Sequence, residues 1–334
     1  MSMLKVAIYG TNGHQIQGQL PHLPRARLVG AAGVPPETVA KWRADMPEAC
    51  GEARCFSGLA ELLAESGADL VSICSPRRDR QHEDIAAALD AGLHVYAEKP
   101  LATTMDGLDA VRAAAARSGR EVRSMTGTIY EAPFRAMQRL VGEGKLGQLV
   151  QVFAQKSYPY HDGRPQDRGI DGGLIQQAGV HAVGYIRFVS GLEFEEVFAM
   201  DTLCGNPEPG ELQMAGQIAA RLTGGVLCTV VCNYCNPPRI GYWGNDQLRL
   251  HGTSGMVELT DGGTRSAVVL GDQKPAPLVV SEAVAGGYSG LIEDYVAHLL
   301  DGTPMLLSQD DSFMNTRVVI RAQESAGRGE PVAV

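Results

Sequence analysis

The sequence of 334 residues contains no apolar run near the roughly 20 residues that a membrane span requires. Its first segment, MSMLKVAIYG, lacks the basic, apolar and small-residue order of a signal peptide, so we expect a cytoplasmic protein that begins as written. Positive charge is not in excess, since 29 Lys and Arg stand against 38 Asp and Glu. This balance argues against nucleic-acid and anionic-membrane partners.

Disulfide and metal-binding patterns are missing as well. The seven Cys are odd in number and follow no framework spacing, which favours reduced thiols. Cys228, Cys232 and Cys235 include one C-x-x-C pair, but no second pair follows that would complete a zinc site. Because free Cys often behaves as a small core residue, we expect buried thiols here and no metal.

Glycine, in contrast, is abundant, with 40 residues and no G-X-Y period, which predicts tight turns and close backbone approaches. Up to about residue 127, short apolar runs alternate with helical patterns, as in successive βα units. Strands are predicted at 4–10, 26–33, 53–56, 68–75, 93–98 and 122–127, and helices at 82–92 and 104–119. The sequence therefore predicts an α/β domain over residues 1–125, built on one doubly wound parallel sheet.

Beyond residue 127 the pattern changes to partly alternating apolar residues separated by Gly-rich turns, which predicts antiparallel strands. Helical patterns occur near 131–144, 173–190, 288–301 and 309–327. We therefore expect a second, α+β domain over residues 126–334, with a mainly antiparallel open sheet.

The first predicted strand ends in a glycine-containing turn of six residues: Gly10, Thr11, Asn12, Gly13, His14 and Gln15. A helix is expected to follow, and this context predicts a dinucleotide-binding turn whose glycines admit a pyrophosphate. The strict GxGxxG pattern is not met, because Asn12 and Gln15 replace the second and third glycines. A plain strand-to-helix turn is the alternative.

Two further strand ends belong to the same predicted edge of the sheet. Gly33 stands where an acid would bind the adenosine ribose or an Arg would accept a 2′-phosphate, so neither NAD nor NADP is favoured there. Ser75 and Pro76 end the fourth strand, at the edge where ligands bind. The three Arg that follow within 77–80 would either meet an anion or lie in a solvated loop.

The fifth strand ends in Glu98, Lys99 and Pro100. A Lys directly after a buried strand, in the crevice of a nicotinamide ring, can stabilise negative charge developing on a substrate oxygen. Glu98 would fix or balance that ammonium group, and Pro100 restricts the backbone of Lys99. A surface salt bridge at a strand end is the alternative.

These segments together resemble the Gfo/Idh/MocA oxidoreductases, which include glucose–fructose oxidoreductase and inositol dehydrogenases. The resemblance rests on the first glycine turn, on ICSP, and above all on AGLHVYAEKPLATT. It continues through DGGLIQQAGVHAVGYIRF and LRLHGTSGMVEL to the closing segment, and thus spans nearly the whole chain. It implies a Rossmann domain that binds NAD or NADP, followed by a domain that binds substrate and supports dimers or tetramers.

The resemblance also implies roles for single residues. Lys99 matches the Lys that holds and polarises the reacting hydroxyl, and His181 matches the acid/base that exchanges its proton. The supporting Asp of the family pattern is Gln177 here, and Asp171 replaces the first Gly of its glycine triplet. Residues 177 and 181 share a helix face, so Gln177 can orient the ring or a hydroxyl, although it carries no charge.

Substrate-binding residues are expected in the second domain. Tyr130 falls where the sixth strand of the family meets the site, and it is followed by Glu131 in place of a common Arg. Tyr158, Arg164 and Arg168 lie in a loop whose aromatic and planar polar groups suit a polyol or sugar acid. An ordinary exposed loop is the alternative.

The sequence thus predicts an NAD(P)-dependent oxidoreductase that transfers hydride to or from a secondary hydroxyl or ketone of a sugar, inositol or related polyol. Cofactor-assisted glycoside cleavage is an alternative within the same fold. A non-catalytic sensor is another, prompted by the departures at Asn12, Gly33 and Gln177.

Overall fold

The computed structural model describes residues 2–280 and 286–334. Its strands are β1 (Leu4–Tyr9), β2 (Ala26–Ala32), β3 (Arg54–Phe56), β4 (Leu70–Ile73), β5 (His94–Ala97), β6 (Val122–Ser124), β7 (Leu149–Ser157), β8 (Phe194–Thr202), β9 (Ala215–Leu222), β10 (Val226–Asn233), β11 (Asn245–Gly252), β12 (Gly255–Thr260), β13 (Arg265–Leu270) and β14 (Val332–Ala333). Its α-helices are α1 (Pro36–Asp45), α2 (Pro47–Cys50), α3 (Leu59–Glu65), α4 (Gln81–Asp90), α5 (Met105–Ser118), α6 (Ala132–Gly142), α7 (Arg168–Asp171), α8 (Leu174–Ser190), α9 (Gly287–Asp301) and α10 (Gln309–Arg328).

The chain forms two compact units. The first comprises Met1–Met125 and Tyr288–Thr316, and the second Thr126–Gly287 and Arg317–Val334. The domain boundary expected between residues 125 and 126 remains a prediction. The second range of that prediction, 126–334, differs from the second unit because Tyr288–Thr316 packs with the first.

The sheet of the first unit is parallel throughout, with the strand order β3-β2-β1-β4-β5-β6. The chain moves outward in one direction from β1 to β3 and then returns to the other side of β1 with β4. The carboxyl ends of β1 and β4 therefore flank the topological switch point, where open α/β sheets bind ligands. The predicted doubly wound α/β fold is confirmed.

Local sequence explains the ends of α5. The Thr104 side chain accepts a hydrogen bond from the Gly107 N–H (3.2 Å), as an N-cap should. Gly119 ends the helix in the left-handed conformation (φ 65°), which glycine adopts without steric cost. Both limits agree with the sequence prediction.

The prediction of a helix directly after the glycine turn is wrong. Ile16–Gly18 and Leu20–His22 form two short 3₁₀ turns instead, and β2 follows at Ala26. Gly18 has low helix propensity, and Pro21 and Pro24 lack the N–H groups that an α-helix would need. No α-helix dipole is therefore provided at this turn.

The C-terminal part of the first unit packs beside β5 and β6. The Tyr295 hydroxyl donates to the carbonyl oxygens of Val95 (3.3 Å) and Glu121 (2.9 Å). The Arg123 guanidinium donates to the Leu307 carbonyl oxygen (3.1 Å). These bonds attach a segment from the end of the chain to the last two strands of the parallel sheet.

The second unit contains an eight-stranded sheet in the order β13-β12-β11-β7-β10-β9-β8-β14. Only β7 and β10 pair in parallel among its described strands, and the other neighbours are antiparallel. One face packs against α8, whose side chains are almost all buried. The opposite face leaves Phe153, Met200 and Leu227 exposed. The expected α+β arrangement on a mainly antiparallel open sheet is confirmed.

The cysteines of β10 lie on the buried side of this sheet. Cys228 and Cys232 are buried, and burial raises the pKa of each thiol to about 12, whereas Cys235 is exposed. Within residues 2–280 and 286–334, no group of three or more His, Cys, Asp and Glu side chains is arranged to hold a metal ion. In the same residues, we find no helix with the length and apolar character that crossing a membrane demands.

Candidate active site

The glycine turn of the first unit is held tightly at the carboxyl end of β1. Gly10 has φ 76°, and a Cβ on it would lie 2.1 Å from the Cys74 carbonyl oxygen. The Gln15 amide donates to the carbonyl oxygens of Tyr9 (2.8 Å) and Gly10 (2.7 Å) and accepts from the Ser72 hydroxyl (2.7 Å). The Gln15 side chain thus satisfies the backbone carbonyl groups at the end of β1. Its position in a glycine motif did not indicate this role.

The remaining residues of the turn contact the neighbouring strand ends. The Asn12 N–H donates to the Cys74 carbonyl oxygen (3.3 Å), and the Asn12 side-chain amide donates to the Pro76 carbonyl oxygen (3.4 Å). Thr11 is exposed. Gly33 at the end of β2 also has positive φ (64°), and a Cβ there would lie 3.3 Å from the Gly10 nitrogen.

The segment after β4 divides into buried and exposed residues. Ser75 is buried and its hydroxyl donates to Asp84 (2.6 Å). Arg78 is buried too, and donates to the Asn12 carbonyl oxygen (2.5 Å). Arg77 and Arg80 are exposed and pair with acidic neighbours within three residues, as in the solvated alternative.

The segment after β5 brings a charged pair into the interior of the first unit. Glu98 and Lys99 are 1% and 5% exposed, and the Lys99 ammonium lies 3.4 Å from a Glu98 carboxylate oxygen. The other carboxylate oxygen accepts from the His14 backbone N–H (2.7 Å). Burial alone would raise the pKa of Glu98, but Lys99, the His14 hydrogen bond and Arg78 together hold that pKa below its usual value.

Gln81 fixes the backbone around this pair, a role that the sequence alone did not reveal. Its buried amide donates to the carbonyl oxygens of Glu98 (2.5 Å) and Pro100 (2.9 Å), and the Lys99–Pro100 peptide bond is cis. Lys99 is therefore a buried cation, and the Gln81 amide holds the carbonyl oxygens on either side of it at the carboxyl edge of the sheet.

The second unit holds the remaining candidates on and before α8. His181 is buried in the second turn of this helix, and Gln177 lies one turn earlier. The Gln177 amide donates to the Asp171 carboxylate (2.7 Å), and Asp171 lies 4.0 Å from an Arg164 guanidinium nitrogen. The acid absent at position 177 is thus present six residues earlier, in contact with the amide that replaces it.

Aromatic rings surround Arg164. Its guanidinium carbon lies 3.6 Å from the Tyr234 ring centroid and 5.8 Å from that of Tyr158. Tyr130 is buried, and Arg168 approaches Gly173, where a Cβ would lie 3.4 Å from the Arg168 Nε atom. The loop is therefore not a simple solvated one, since Tyr158 and Arg164 are mostly enclosed.

A second buried ion pair, Lys156 with Asp246, was not predicted. The ammonium and carboxylate groups lie 2.6 Å apart, on β7 and β11. Burial alone would lower the pKa of Lys156, but Asp246 raises it above its usual value. The alternating pattern of β7 places Lys156 at an inward position, which indicates that this Lys needs a buried partner. The pattern does not identify the partner, because Asp246 is 90 residues away.

The residues at the edge of the parallel sheet fit a dinucleotide. Gly10 and Gly33 let the backbones at the ends of β1, β2 and β4 approach closely beside the switch point, which is where open α/β sheets bind dinucleotides. Residue 33 has neither an acidic nor a basic side chain to read the 2′-position of the ribose. The fit is therefore to a nicotinamide dinucleotide as a class.

Comparison with known proteins agrees with these two units. Residues 4–125 match the model for the oxidoreductase family with an NAD-binding Rossmann fold, GFO_IDH_MocA. Residues 134–258 match the GFO/IDH/MocA C-terminal domain.

Individual relatives are similar over most of their length. The chain is 23% identical to myo-inositol 2-dehydrogenase of Thermotoga maritima over 296 residues, 84% of each protein. A putative oxidoreductase from Thermotoga maritima superimposes with a TM-score of 0.88 at 24% identity, covering 99% of this chain and 100% of that one. An inositol dehydrogenase homologue of Azotobacter vinelandii, solved with NAD⁺, superimposes with a TM-score of 0.80 at 19% identity. The match covers 100% of this chain and 98% of that one.

Both matched ranges belong to one family and together span most of the sequence. The chain is therefore an oxidoreductase of the Gfo/Idh/MocA family with an NAD-binding Rossmann domain.

Proposed function

We propose that this oxidoreductase transfers a hydride between NAD or NADP and a secondary hydroxyl or ketone of a sugar, an inositol or a related polyol. The observation that carries the proposal is the buried Lys99 ammonium at the carboxyl end of β5, braced by Glu98. Such a cation stabilises negative charge on a substrate oxygen far better than an exposed one. The relative named myo-inositol 2-dehydrogenase supports the substrate class.

Lys99 and His181 have complementary roles in this proposal. The Lys99 ammonium holds the reacting oxygen and stabilises its alkoxide form. The His181 imidazole takes the hydroxyl proton during oxidation and returns it during reduction, a role that imidazole groups commonly perform in enzymes. A nicotinamide dinucleotide held at the carboxyl edge of the parallel sheet would supply the hydride acceptor or donor.

The proposal assigns substrate contacts to Tyr130, Tyr158, Arg164 and Arg168. Tyr158 offers an aromatic face, and the two guanidinium groups offer planar arrays of donors that suit hydroxyl groups. Gln177 belongs to this set through its place beside His181. For the cofactor, the turn 10–15, Gly33, Ser75, Pro76 and the segment 98–100 are the proposed contacts.

Absorbance at 340 nm tests the proposal directly. A panel of inositols, sugars and alditols is screened with NAD⁺ and NADP⁺, using the wild type, Lys99→Ala and Lys41→Ala. Lys41 is an exposed residue of the same unit that pairs with Asp45 at the surface, and it serves as the control. We expect Lys99→Ala to reduce kcat/KM about 10²–10³-fold and Lys41→Ala to have no effect.

Two results would overturn the proposal when glycosides are added to the panel and binding is titrated beside the absorbance assay. Release of a sugar from a glycoside without net change in the cofactor would assign glycoside cleavage instead. Saturable cofactor or sugar binding without turnover of any compound would assign a sensor.

We also propose that the chain forms a homodimer or homotetramer through the open face of the eight-stranded sheet. Phe153, Met200 and Leu227 are 39%, 54% and 54% exposed on its strands. Large apolar side chains on one sheet face are costly in water and are typical of an interface.

A further inference from the structure

An unbalanced carboxyl group stands beside the buried pair of Lys156 and Asp246. These two residues face each other on β7 and β11, are 6% and 7% exposed, and neutralise one another. Glu131 stands directly before α6, is partly exposed, and feels the charges of both. With all three groups ionised, this cluster of Glu131, Lys156 and Asp246 carries one net negative charge.

The cluster also holds acceptor oxygens that lack donors. One Asp246 carboxylate oxygen accepts from Lys156, whereas the other is buried and has no hydrogen-bond donor among the described residues. The Glu131 carboxyl group forms no hydrogen bond or ion pair with any residue of 2–280 or 286–334. Enclosed carboxylates without donors or a counter-charge are costly, so the cluster favours any group that supplies both.

The proton affinity of Glu131 reflects this deficit. Burial, and secondly the charge of Asp246, raise the pKa of Glu131 to about 7. A proton thus fills the place of the missing positive charge when no other cation is bound.

The cluster adjoins two of the proposed substrate contacts. Tyr130 precedes Glu131 in the chain, and the Lys156 ammonium group lies 5.2 Å from the Tyr158 ring centroid. A substrate that contacts these two tyrosines is therefore within reach of the partly exposed Glu131 carboxyl group.

We propose that Glu131, beside Asp246, recognises a protonated amino group, so that the enzyme prefers an amino sugar or an aminocyclitol to its neutral counterpart. This inference rests on the proposed function, because it names the substrate class of the same site. An ammonium group brings three N–H donors and one positive charge, which match the free acceptors and the net charge of the cluster. A hydroxyl group donates one hydrogen bond and leaves the charge uncompensated.

Binding of such an ammonium group displaces the proton of Glu131. At pH 6 an aliphatic amine is protonated, and so is most of Glu131 in the free protein. Binding should therefore release about 0.9 proton per ligand at this pH, and the affinity should rise close to tenfold from pH 5.5 to pH 6.5. A neutral sugar should release no proton from Glu131.

The experiment is isothermal titration calorimetry of the full chain in the presence of NAD⁺. It compares D-glucosamine with D-glucose and scyllo-inosamine with scyllo-inositol, in buffers of different ionisation enthalpy that count the protons released. We expect an amine to bind about tenfold or more tightly than its neutral partner. Glu131→Gln should abolish the proton release and weaken amine binding about tenfold, with little effect on the neutral partner. The exposed Glu143→Gln should behave as the wild type.

Three results contradict the inference. The first is that neither amine binds more tightly than its neutral partner. The second is that the amine binds tightly without releasing a proton, a result that decides on the wild type alone if Glu131→Gln does not fold. The third is full amine affinity in a folded Glu131→Gln variant.

Calorimetry separates this inference from the proposed function, because binding needs no turnover. An amine that binds with proton release but is never oxidised would overturn the proposed function and leave the role of Glu131 intact. Turnover of neutral polyols alone would do the reverse. The other charged groups near Glu131, which are Lys156 and Asp246 on the sheet and Arg135 one turn along α6, are identical in all variants.

Discussion

Glu131 is a third ionisable group, and the second carboxyl group, beside an ion pair that is already balanced. Lys156 and Asp246 neutralise each other at 2.6 Å. Burial, and secondly the charge of Asp246, raise the pKa of Glu131 to about 7, while Lys156 opposes this shift. Glu131 therefore exchanges its proton near neutral pH instead of near pH 4.5.

Glu131→Gln should stabilise the protein at alkaline pH. Because the pKa of Glu131 is higher in the folded chain, folding takes up a proton, and the wild type loses stability as the pH rises from about 4.5 to about 7. We expect the variant to exceed the wild type in free energy of unfolding by about 1–3 kcal/mol at pH 8.5, with little difference at pH 4.5. Urea unfolding at both values measures this, with the exposed Glu143→Gln as control. Equal stability at pH 8.5 would contradict it.

Among single residues, those whose partners are close in sequence were predictable. Glu98 and Lys99 are adjacent, so their pairing follows from the motif itself. Asp171 and Gln177 are six residues apart, yet their contact depends on the glycine turn between α7 and α8. Lys156 and Asp246 meet only because β7 and β11 are neighbours in the sheet, which no local pattern specifies.

At the scale of single elements, the end of β1 has very little room for change. A Cβ on Gly10 would lie 2.1 Å from a backbone carbonyl oxygen, whereas a Cβ on Gly119, at the end of α5, meets nothing within 4 Å. The φ angles are similar, 76° and 65°, so an added side chain would meet the same backbone strain at both positions. The two positions differ in the free space around the added Cβ.

Gly10→Ala should therefore destabilise the first unit much more than Gly119→Ala. We expect about 1 kcal/mol for Gly119→Ala, from the left-handed backbone alone, and at least about 2 kcal/mol more for Gly10→Ala, because a backbone atom must move. Urea unfolding of both variants measures the difference. Equal losses would mean that the turn shifts freely and that its tight packing is unimportant.

Strands and helices with strong periodicity were predictable, and the segment after the glycine turn was not. The strand-turn context favoured a helix, but Gly18, Pro21 and Pro24 oppose one, and these local preferences prevailed. Conversely, Thr104 and Gly119 mark the ends of α5 in the sequence as clearly as in the structure.

For the whole molecule, sequence order and spatial grouping differ. Tyr288–Thr316 belongs with the first unit through contacts such as Tyr295 with Val95, 200 residues apart. Such pairing depends on the assembled sheet, so patterns along the chain do not reveal it.

The proposed homo-oligomer can be tested on the open sheet face. Replacing Phe153 and Leu227 with Glu adds charge to exposed positions of β7 and β10 without entering the core. We expect light scattering after gel filtration to give an oligomer for the wild type and a monomer for this variant, with unchanged unfolding midpoints at low protein concentration. An oligomer of unaltered size in the variant would place the interface elsewhere.

The most direct measurement of the central claim follows the hydrogen itself. A polyol found active in the screen is labelled with deuterium on the reacting carbon, and the reduced cofactor is isolated and weighed by mass spectrometry. One deuterium in the reduced nicotinamide for each molecule oxidised is the predicted result. Reduced cofactor without deuterium, or product formed with no reduced cofactor, would contradict it.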